Sequence, residues 1–462
     1  MHSEAFTFGI KDLDKLLGSS LKFPSMIVVA GHPGAGKTTL AATICYANAL
    51  RGRKCLYISQ QESREKFFEI MKSLGMDFYE LEKKGFIKHT NFPIASDIES
   101  IVNEISSIIS TEDFKVVVID SINPLLQAVE GSHAKRAWLY NYFYQIPKTL
   151  NGLLILIAEL PFEKEHLELG SIEFVADAIL ILKHRIDESL LTRKIEIRKA
   201  RGSPISIAEI PFSIVENKGI ELYVPPILEE IPREGPEIDV VCSSLKSVVG
   251  HLHKGMVMYI SYPPDARPIL YVPILLCIAV INNLKIHVIS YLYPPDTTKD
   301  LIRRGLKQLG LDESVATKII DKHILINSIN PFAYSIEELA IKELYMIPSD
   351  ADIVAFHGTE VVASKHRREY IGGLYNQLNY LKKINKLVVR IGASVNDEVY
   401  NVNAMLSDVI MKFHLEEAGK KYRYNVYIWR RGEKPAILTE EDLYKCFEEI
   451  ASIIKKKVYE NT

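Results

Sequence analysis

Short apolar runs alternate along the chain with longer stretches of helical periodicity. In the first half the runs are Met26–Ala30, Lys54–Ser59, Lys115–Asp120 and Leu153–Ala158. Apolar strands alternating with helices predict a parallel sheet covered on both faces. The second half repeats the order with Met256–Ser261, Lys285–Ser290, Asp352–Phe356 and Leu387–Ile391, and the pair Leu74-Gly75 recurs as Leu309-Gly310. The same signals in the same order predict an internal duplication. Between the halves, residues 224–237 read VPPILEEIPREGPE, with four prolines, a glycine and four glutamates. That composition predicts an exposed linker with no regular element. The expected architecture is two tandem α/β domains, residues 1–229 and 230–462, each a mainly parallel sheet flanked by helices.

Composition narrows the function classes. The 462 residues are 47% hydrophobic and 25% charged, with 56 basic against 58 acidic side chains and a net charge of −2. Length alone predicts two or three domains at roughly 100–200 residues each. Near-neutrality argues against coating nucleic acid or membrane through bulk charge, because counterion release needs a clustered basic excess. Cys45, Cys55, Cys242, Cys277 and Cys446 include no CxxC or zinc-ribbon spacing. This favours a reducing, cytoplasmic compartment. No apolar segment follows Met1, so a secretory leader is not expected. The apolar run Ile269–Ile281 falls short of the ~20 residues that span a bilayer, and reads as a buried helix.

The strongest chemical motif is Gly31-His32-Pro33-Gly34-Ala35-Gly36-Lys37-Thr38-Thr39, between the run Met26–Ala30 and an apolar helix. It fits G-x-x-x-x-G-K-[ST] in the strand–helix context that a P-loop needs. Small residues let backbone N–H groups turn inward around a phosphate, Lys37 bridges the β- and γ-phosphates, and Thr38 offers a hydroxyl to Mg²⁺. A carboxylate closing a neighbouring strand must hold the water shell of that ion. Asp120, ending Lys115–Asp120, is the candidate.

With these motifs in hand, the chain resembles the KaiC-like ATPases of the RecA/RadA superfamily. The resemblance runs in order through FGIKDLDKLLGSSLKFPSMIVVAGHPGAGKTTL, YISQQESREKFFEIMKSLG, VVVIDS, EFVADAILIL and IRKARGSPISIAEIPFSI, covering the first half, in an archaeal-type version of the pattern. It implies a RecA-type core that assembles as a homo-oligomeric ring or filament, a hexamer among the forms, with ATP and Mg²⁺ between neighbouring subunits. It places the nucleotide loop on Gly31 to Thr39, the Walker B acid on Asp120 and a γ-phosphate sensor on Glu159. It also places Lys199-Ala200-Arg201-Gly202 as an element reaching the next subunit's nucleotide. Without it, these last residues read as a solvated basic strand end. Where the family carries two adjacent glutamates this chain has Gln61-Glu62, so the water-activating position falls on a glutamine, which orients water but takes no proton. Slow hydrolysis, Glu62 as base, or ATP as a structural switch all fit.

The second half aligns Ser261-Tyr262-Pro263-Pro264-Asp265-Ala266-Arg267-Pro268 with the nucleotide loop. Proline removes a donor and a hydroxyl, Asp265 sets negative charge where phosphate would sit, and glycines are missing. Leu292-Tyr293 and His357 replace Gln61-Glu62 and Asp120, while Trp429-Arg430-Arg431-Gly432 keeps part of the basic element. This predicts a degenerate copy that serves as scaffold. Thirteen histidines without ligand spacing suggest no metal beyond Mg²⁺, and no G-x-S-x-G elbow is present.

The function expected is an ATP-binding regulator, a slow ATPase whose nucleotide state sets assembly and the binding of regulatory protein partners. The alternative is a RadA-paralogue role in recombination or repair on single-stranded DNA. Its candidate contact is Gly131–Tyr140, with Lys135, Arg136, Trp138 and Tyr140. The same segment fits a capped amphipathic helix with Trp138 packed inward, and the acidic stretch Leu160–Ile172 would repel phosphates.

Overall fold

The computed structural model describes residues 5–18, 21, 24–60, 62–91, 97–160, 172–187, 189–205, 207–232, 235–266, 270–419 and 421–459. The chain divides into two compact units, 1–224 and 225–462, so the break falls at the start of the proline-rich segment. That segment is not wholly irregular, since Leu228–Glu230 forms a 3-10 turn.

In the first unit the strands are β1 (Ser25–Gly31), β2 (Cys55–Ser59), β3 (Ile87–Asn91), β4 (Val116–Asp120), β5 (Leu153–Glu159), β6 (Ala178–Asp187), β7 (Leu190–Ala200), β8 (Glu209–Val215) and β9 (Gly219–Leu222). They lie in the order β3-β2-β4-β5-β1-β6-β7-β8-β9. The pairs from β3 to β6 are parallel and those from β6 to β9 antiparallel. Every residue of β1 and β2 is buried. Such strands carry continuous apolar runs because helices cover both faces. One core face packs on the helix Lys37–Leu50 and the other on the helices Ile98–Thr111 and His133–Leu150.

The second unit has β10 (Glu237–Ile238) paired with β11 (Leu252–His253), then β12 (Val257–Tyr262), β13 (Ile286–Ser290), β14 (Ile324–Ser328), β15 (Ile353–His357), β16 (Leu387–Ala393), β17 (Val409–Ala418), β18 (Lys421–Arg430) and β19 (Ala436–Leu438). Its main sheet runs β14-β13-β15-β16-β12-β17-β18-β19, the order of the first unit one strand shorter. Both units are mixed α/β with large, mainly parallel sheets of RecA-like order. The apolar run near residue 275 is the buried helix Tyr271–Ile281, and no helix among the described residues is long and apolar enough to cross a membrane. The repeated Leu-Gly pairs close equivalent helices, with Gly75 and Gly310 in the left-handed region that ends a helix.

Two expectations need correction. Trp138 does not pack inward: it is 43% exposed, stacked on Tyr142, although Ser132 caps the helix as predicted. On that helix Leu139, Phe143 and Ile146 already fill the core side, leaving the indole outward. Cys242 and Cys446 form a disulfide across a separation of 204 residues, joining the start of the second unit to its last helix. No spacing rule reaches that far, and it weakens the inference of a reducing compartment.

The second unit buries a polar network behind its sheet. Registers Ser59↔Asp120↔Ile157 and Ser290↔His357↔Ile391 put Arg390 at the position of Leu156. Arg390 reaches Gln377, Tyr370 and Asn403, while Glu343, 1% exposed, accepts from Tyr291 at 2.6 Å and from Gln377. Burial pushes the Glu343 carboxyl up to about 7, against the bonds from Tyr291 and the Arg390 charge. A carboxyl raised by folding binds its proton more tightly in the folded state. The stability it contributes is therefore present below the ordinary carboxylate range and lost as pH rises towards 7. The unfolding free energy of the second unit should fall by roughly 3 kcal/mol across that window and level off above it. Denaturant titrations of wild type and Glu343→Gln at several pH values check this, the variant giving the flatter profile.

Candidate functional site

The parallel registers Gly31↔Glu159 and Ser59↔Asp120 bring the carboxyl ends of β1, β5, β2 and β4 to one edge of the first sheet. The loop Gly31-His32-Pro33-Gly34-Ala35-Gly36 leaves β1 there and enters the helix at Lys37. Two glycines are dictated by geometry. A Cβ on Gly31 would lie 2.3 Å from the carbonyl oxygen of Leu182, and Gly36 caps the helix at φ +100°. Lys37 is 7% exposed and its Nζ donates to the His32 carbonyl at 3.0 Å. Burial lowers the Lys37 pKa, while the Glu159 and Asp120 charges oppose that. His32 lies 3.3 Å from the Leu160 carbonyl through Nδ1, and Thr39 is buried in the first turn.

Thr38 Oγ1 donates to Asp120 Oδ2 at 2.9 Å. Tyr57, fully buried in β2, donates its phenol to the same oxygen at 2.8 Å. Burial raises the Asp120 pKa; the bonds from Tyr57 and Thr38 and the Lys37 charge counter it, and the Glu62 charge adds to it. A hydroxyl and a carboxylate are hard oxygen donors of the kind Mg²⁺ takes. Together with a glycine-bounded loop at a helix N-terminus, these residues fit a phosphate ligand with its magnesium ion.

Glu159 is half-buried, and its main chain is pinned by Asn123, with bonds of 2.7 and 3.1 Å to the amide side chain. Glu62 sits just beyond β2, its N–H on Ser59 Oγ and its carboxylate 3.7 Å from Lys66. Gln61 lies outside the described residues. Lys199 and Arg201 are not at this edge. Ala200 pairs with Ala178, which pairs with Ile27, whereas the loop begins at Gly31 opposite Leu182. The basic element thus sits at the other end of the sheet, roughly 13 Å away along the strands. There Lys199 Nζ donates to the carbonyls of Glu173 and Phe174 at 2.9 Å, and Arg201 meets Asp177 at 3.5 Å.

Sequence reasoning missed Tyr57 and Asn123. Tyr57 is one aromatic in an apolar strand and carries no local signal; Asn123 follows β4 by three residues, which hints only at a turn.

The second unit holds the corresponding places with other chemistry. His357 occupies the Asp120 position, its Nδ1 3.3 Å from Ser290 Oγ, with the Tyr293 ring tilted against it at 5.7 Å between centroids. Arg267 and Pro268 lie outside the described residues. Arg431 keeps the Arg201 arrangement: its N–H donates to the Asp408 carbonyl at 2.8 Å and its guanidinium lies 3.6 Å from the Asp408 carboxylate.

Fold order and strand-edge site together define a RecA-like α/β domain in the first unit. A family model described as the KaiC ATPase matches residues 6–226. The chain is 26% identical over 196 residues to the circadian clock oscillator protein KaiC of Picosynechococcus sp., covering 42% of this chain and 38% of that protein. It is 26% identical over 219 residues to the circadian clock protein KaiC2 of Synechocystis sp., covering 45% and 38%. For KaiC of Thermostichus vulcanus the figures are 26% over 233 residues, 50% and 41%. The chain thus spans about two fifths of the length of these relatives. Its amino-terminal unit is a KaiC-like ATPase domain of the RecA superfamily.

Proposed function

We propose that the first unit binds ATP with Mg²⁺ at the loop Gly31–Thr39 and hydrolyses it slowly, and that nucleotide state sets assembly and the binding of regulatory partners. The observation that carries this reading is the convergence of Lys37, Thr38 and Asp120 at the mouth of one glycine-bounded loop. The loop N–H groups and Lys37 would hold the phosphates, and Thr38 and Asp120 the magnesium ion, which supplies charge neutralisation on the phosphoryl oxygens when bound. Glu159, beside Lys37, is suited to sense the terminal phosphate. Glu62, just beyond β2, is a carboxylate that can take a proton from water, Gln61 being suited only to orient it.

Lys199 and Arg201 cannot meet the loop of their own unit from the far end of the sheet. Their placement supports delivery to a neighbour's nucleotide, where a cation stabilises charge on the transferring phosphoryl group. Assembly is then part of the active site. The second unit, with His357 for Asp120 and Val288 for Tyr57, is read as a scaffold copy. Persistence of the Arg431–Asp408 pair there supports a structural share in this tie as well.

The test is mass by light scattering, with and without ATP and Mg²⁺. The expected result is a dissociated species that becomes a closed ring several-fold heavier when both are added, and an unchanged mass counts against the reading. Among the described residues the segment named for the DNA alternative exposes Trp138, with Lys135 and Arg136 on the same helix. It offers too few cations for a phosphate-tracking groove.

A further inference from the structure

We propose that Tyr57 is a positioning residue for Asp120 and, through it, for the metal ion at the glycine-rich loop. This rests on the Mg-ATP reading above. Tyr57 is fully buried in β2, two residues before the strand end, and its phenol reaches across to β4. It donates to Asp120 Oδ2 at 2.8 Å, the oxygen that also accepts from Thr38 at 2.9 Å. Two hydroxyls converging on one oxygen hold the carboxylate in a single rotation. They also favour its ionised form against the cost of burial. Thr38 lies in the first turn of the helix that follows the loop. Tyr57 sits on the sheet, so it supplies the fixed half of the clamp.

The ring has a rigid seat. Its centroid lies 4.5 Å from that of Phe67 and 5.9 Å from His89, which stacks on it nearly parallel at 8°. Phe78 packs against Phe67 in turn at 5.2 Å.

The duplicate unit supplies the control within one chain. The registers Ser59↔Asp120 and Ser290↔His357 make Val288 the counterpart of Tyr57, and Tyr57↔His89 against Val288↔Ile326 makes Ile326 the counterpart of His89. There the carboxylate, the phenol and the aromatic seat are lost together. A cavity of about 70 Å³, lined by Val288, Thr298, Ile302 and His357 among others, lies in this region. Were the ring needed for packing alone, phenylalanine would serve as well, and a buried hydroxyl would add only a group to satisfy. The hydroxyl stands where there is a carboxylate to hold and is missing where there is none.

The test is Tyr57→Phe, which removes the hydroxyl and keeps the ring in its seat. Mn²⁺ affinity of the ATP-bound protein is read from the loss of free-ion signal by electron paramagnetic resonance. Nucleotide affinity without metal is read by fluorescence of a labelled ATP in chelator. The expected result is Mn²⁺ binding weakened about tenfold or more, with metal-free nucleotide affinity unchanged and turnover lost in kcat rather than KM. A thermal scan shows whether the variant is folded, and a purely structural role would lower the melting temperature without separating the two affinities. Unchanged Mn²⁺ affinity in a variant whose parent binds Mn²⁺ with ATP overturns the role of Tyr57 alone. A parent that binds no Mn²⁺ with ATP overturns the Mg-ATP reading and this proposal with it.

Discussion

Lys37→Ala is expected to lower ATP turnover by more than about 100-fold, the scale lost when a principal charge on a transferring phosphoryl group is removed. Lys37 is the cation at the loop mouth, held inside the structure at 7% exposure. Its burial lowers its pKa, and the Glu159 and Asp120 charges oppose that shift. Alanine does more than remove an attraction. It leaves Glu159 and Asp120 directed at the place where the phosphates would sit, so ground-state affinity should fall as well, by at least about tenfold. Phosphate release and equilibrium ATP binding on the same preparation measure the two effects. A variant that turned over ATP like the parent would mean that the loop is not where the chemistry occurs.

The second large effect concerns subunits in combination. Arg201→Ala alone should reduce turnover by about three orders of magnitude, the lower end of what a trans-acting cation supplies. Mixed with Lys37→Ala, itself inactive, it should regain activity. The geometry dictates this, because the loop and the basic element lie at opposite ends of the first sheet. An interface pairing the loop of an Arg201→Ala subunit with the basic element of a Lys37→Ala subunit is complete. In randomly mixed closed assemblies at equal ratio, about a quarter of interfaces are of this kind. Turnover near a quarter of wild type in the mixture is the expected result. No recovery, in mixtures that demonstrably exchange subunits, would assign Arg201 to its own chain, where its contact with Asp177 already gives it a structural duty.

The Arg–Asp tie shows why local likeness needs its surroundings. Arg201 with Asp177 and Arg431 with Asp408 share distances, main-chain bonds and places in the sheet. Asp177 also accepts from the Met26 N–H and Asp408 from the Val257 N–H, each at 2.9 Å, fastening the first strand of its sheet. The tie therefore belongs to the fold in both units. What separates them is the chemistry at the opposite edge, where Lys37, Thr38 and Asp120 meet in one and His357 stands near Ser290 and Tyr293 in the other.

Much of this was legible in the chain because it depends on short-range patterns. The parallel strands announce themselves as continuous apolar runs, since both faces are covered, and the glycine-rich loop is contiguous because it must wrap one phosphate group with consecutive backbone donors. The duplication follows from the order of such runs, and the linker from its prolines. The strands β3 and β6–β9 were harder to read: β3 is only partly buried, and the later hairpins alternate polar and apolar positions along a half-exposed surface.

Other features were decided by tertiary contacts between residues far apart in sequence. Tyr57 meets Asp120 across 63 residues, and Cys242 meets Cys446 across 204; no periodicity of either segment encodes the meeting. Trp138 faces outward because the core below its helix was already filled by Leu139, Phe143 and Ile146. That Lys199 and Arg201 lie away from the loop of their own unit is a matter of strand register. The sequence by itself determined which backbone segments are strands and which loop can cradle a phosphate, because those are local properties of apolar runs and small residues. The tertiary structure alone decided which side chains share an oxygen, a sulfur bond or an edge of the sheet, because such proximity is set by the pairing of distant strands.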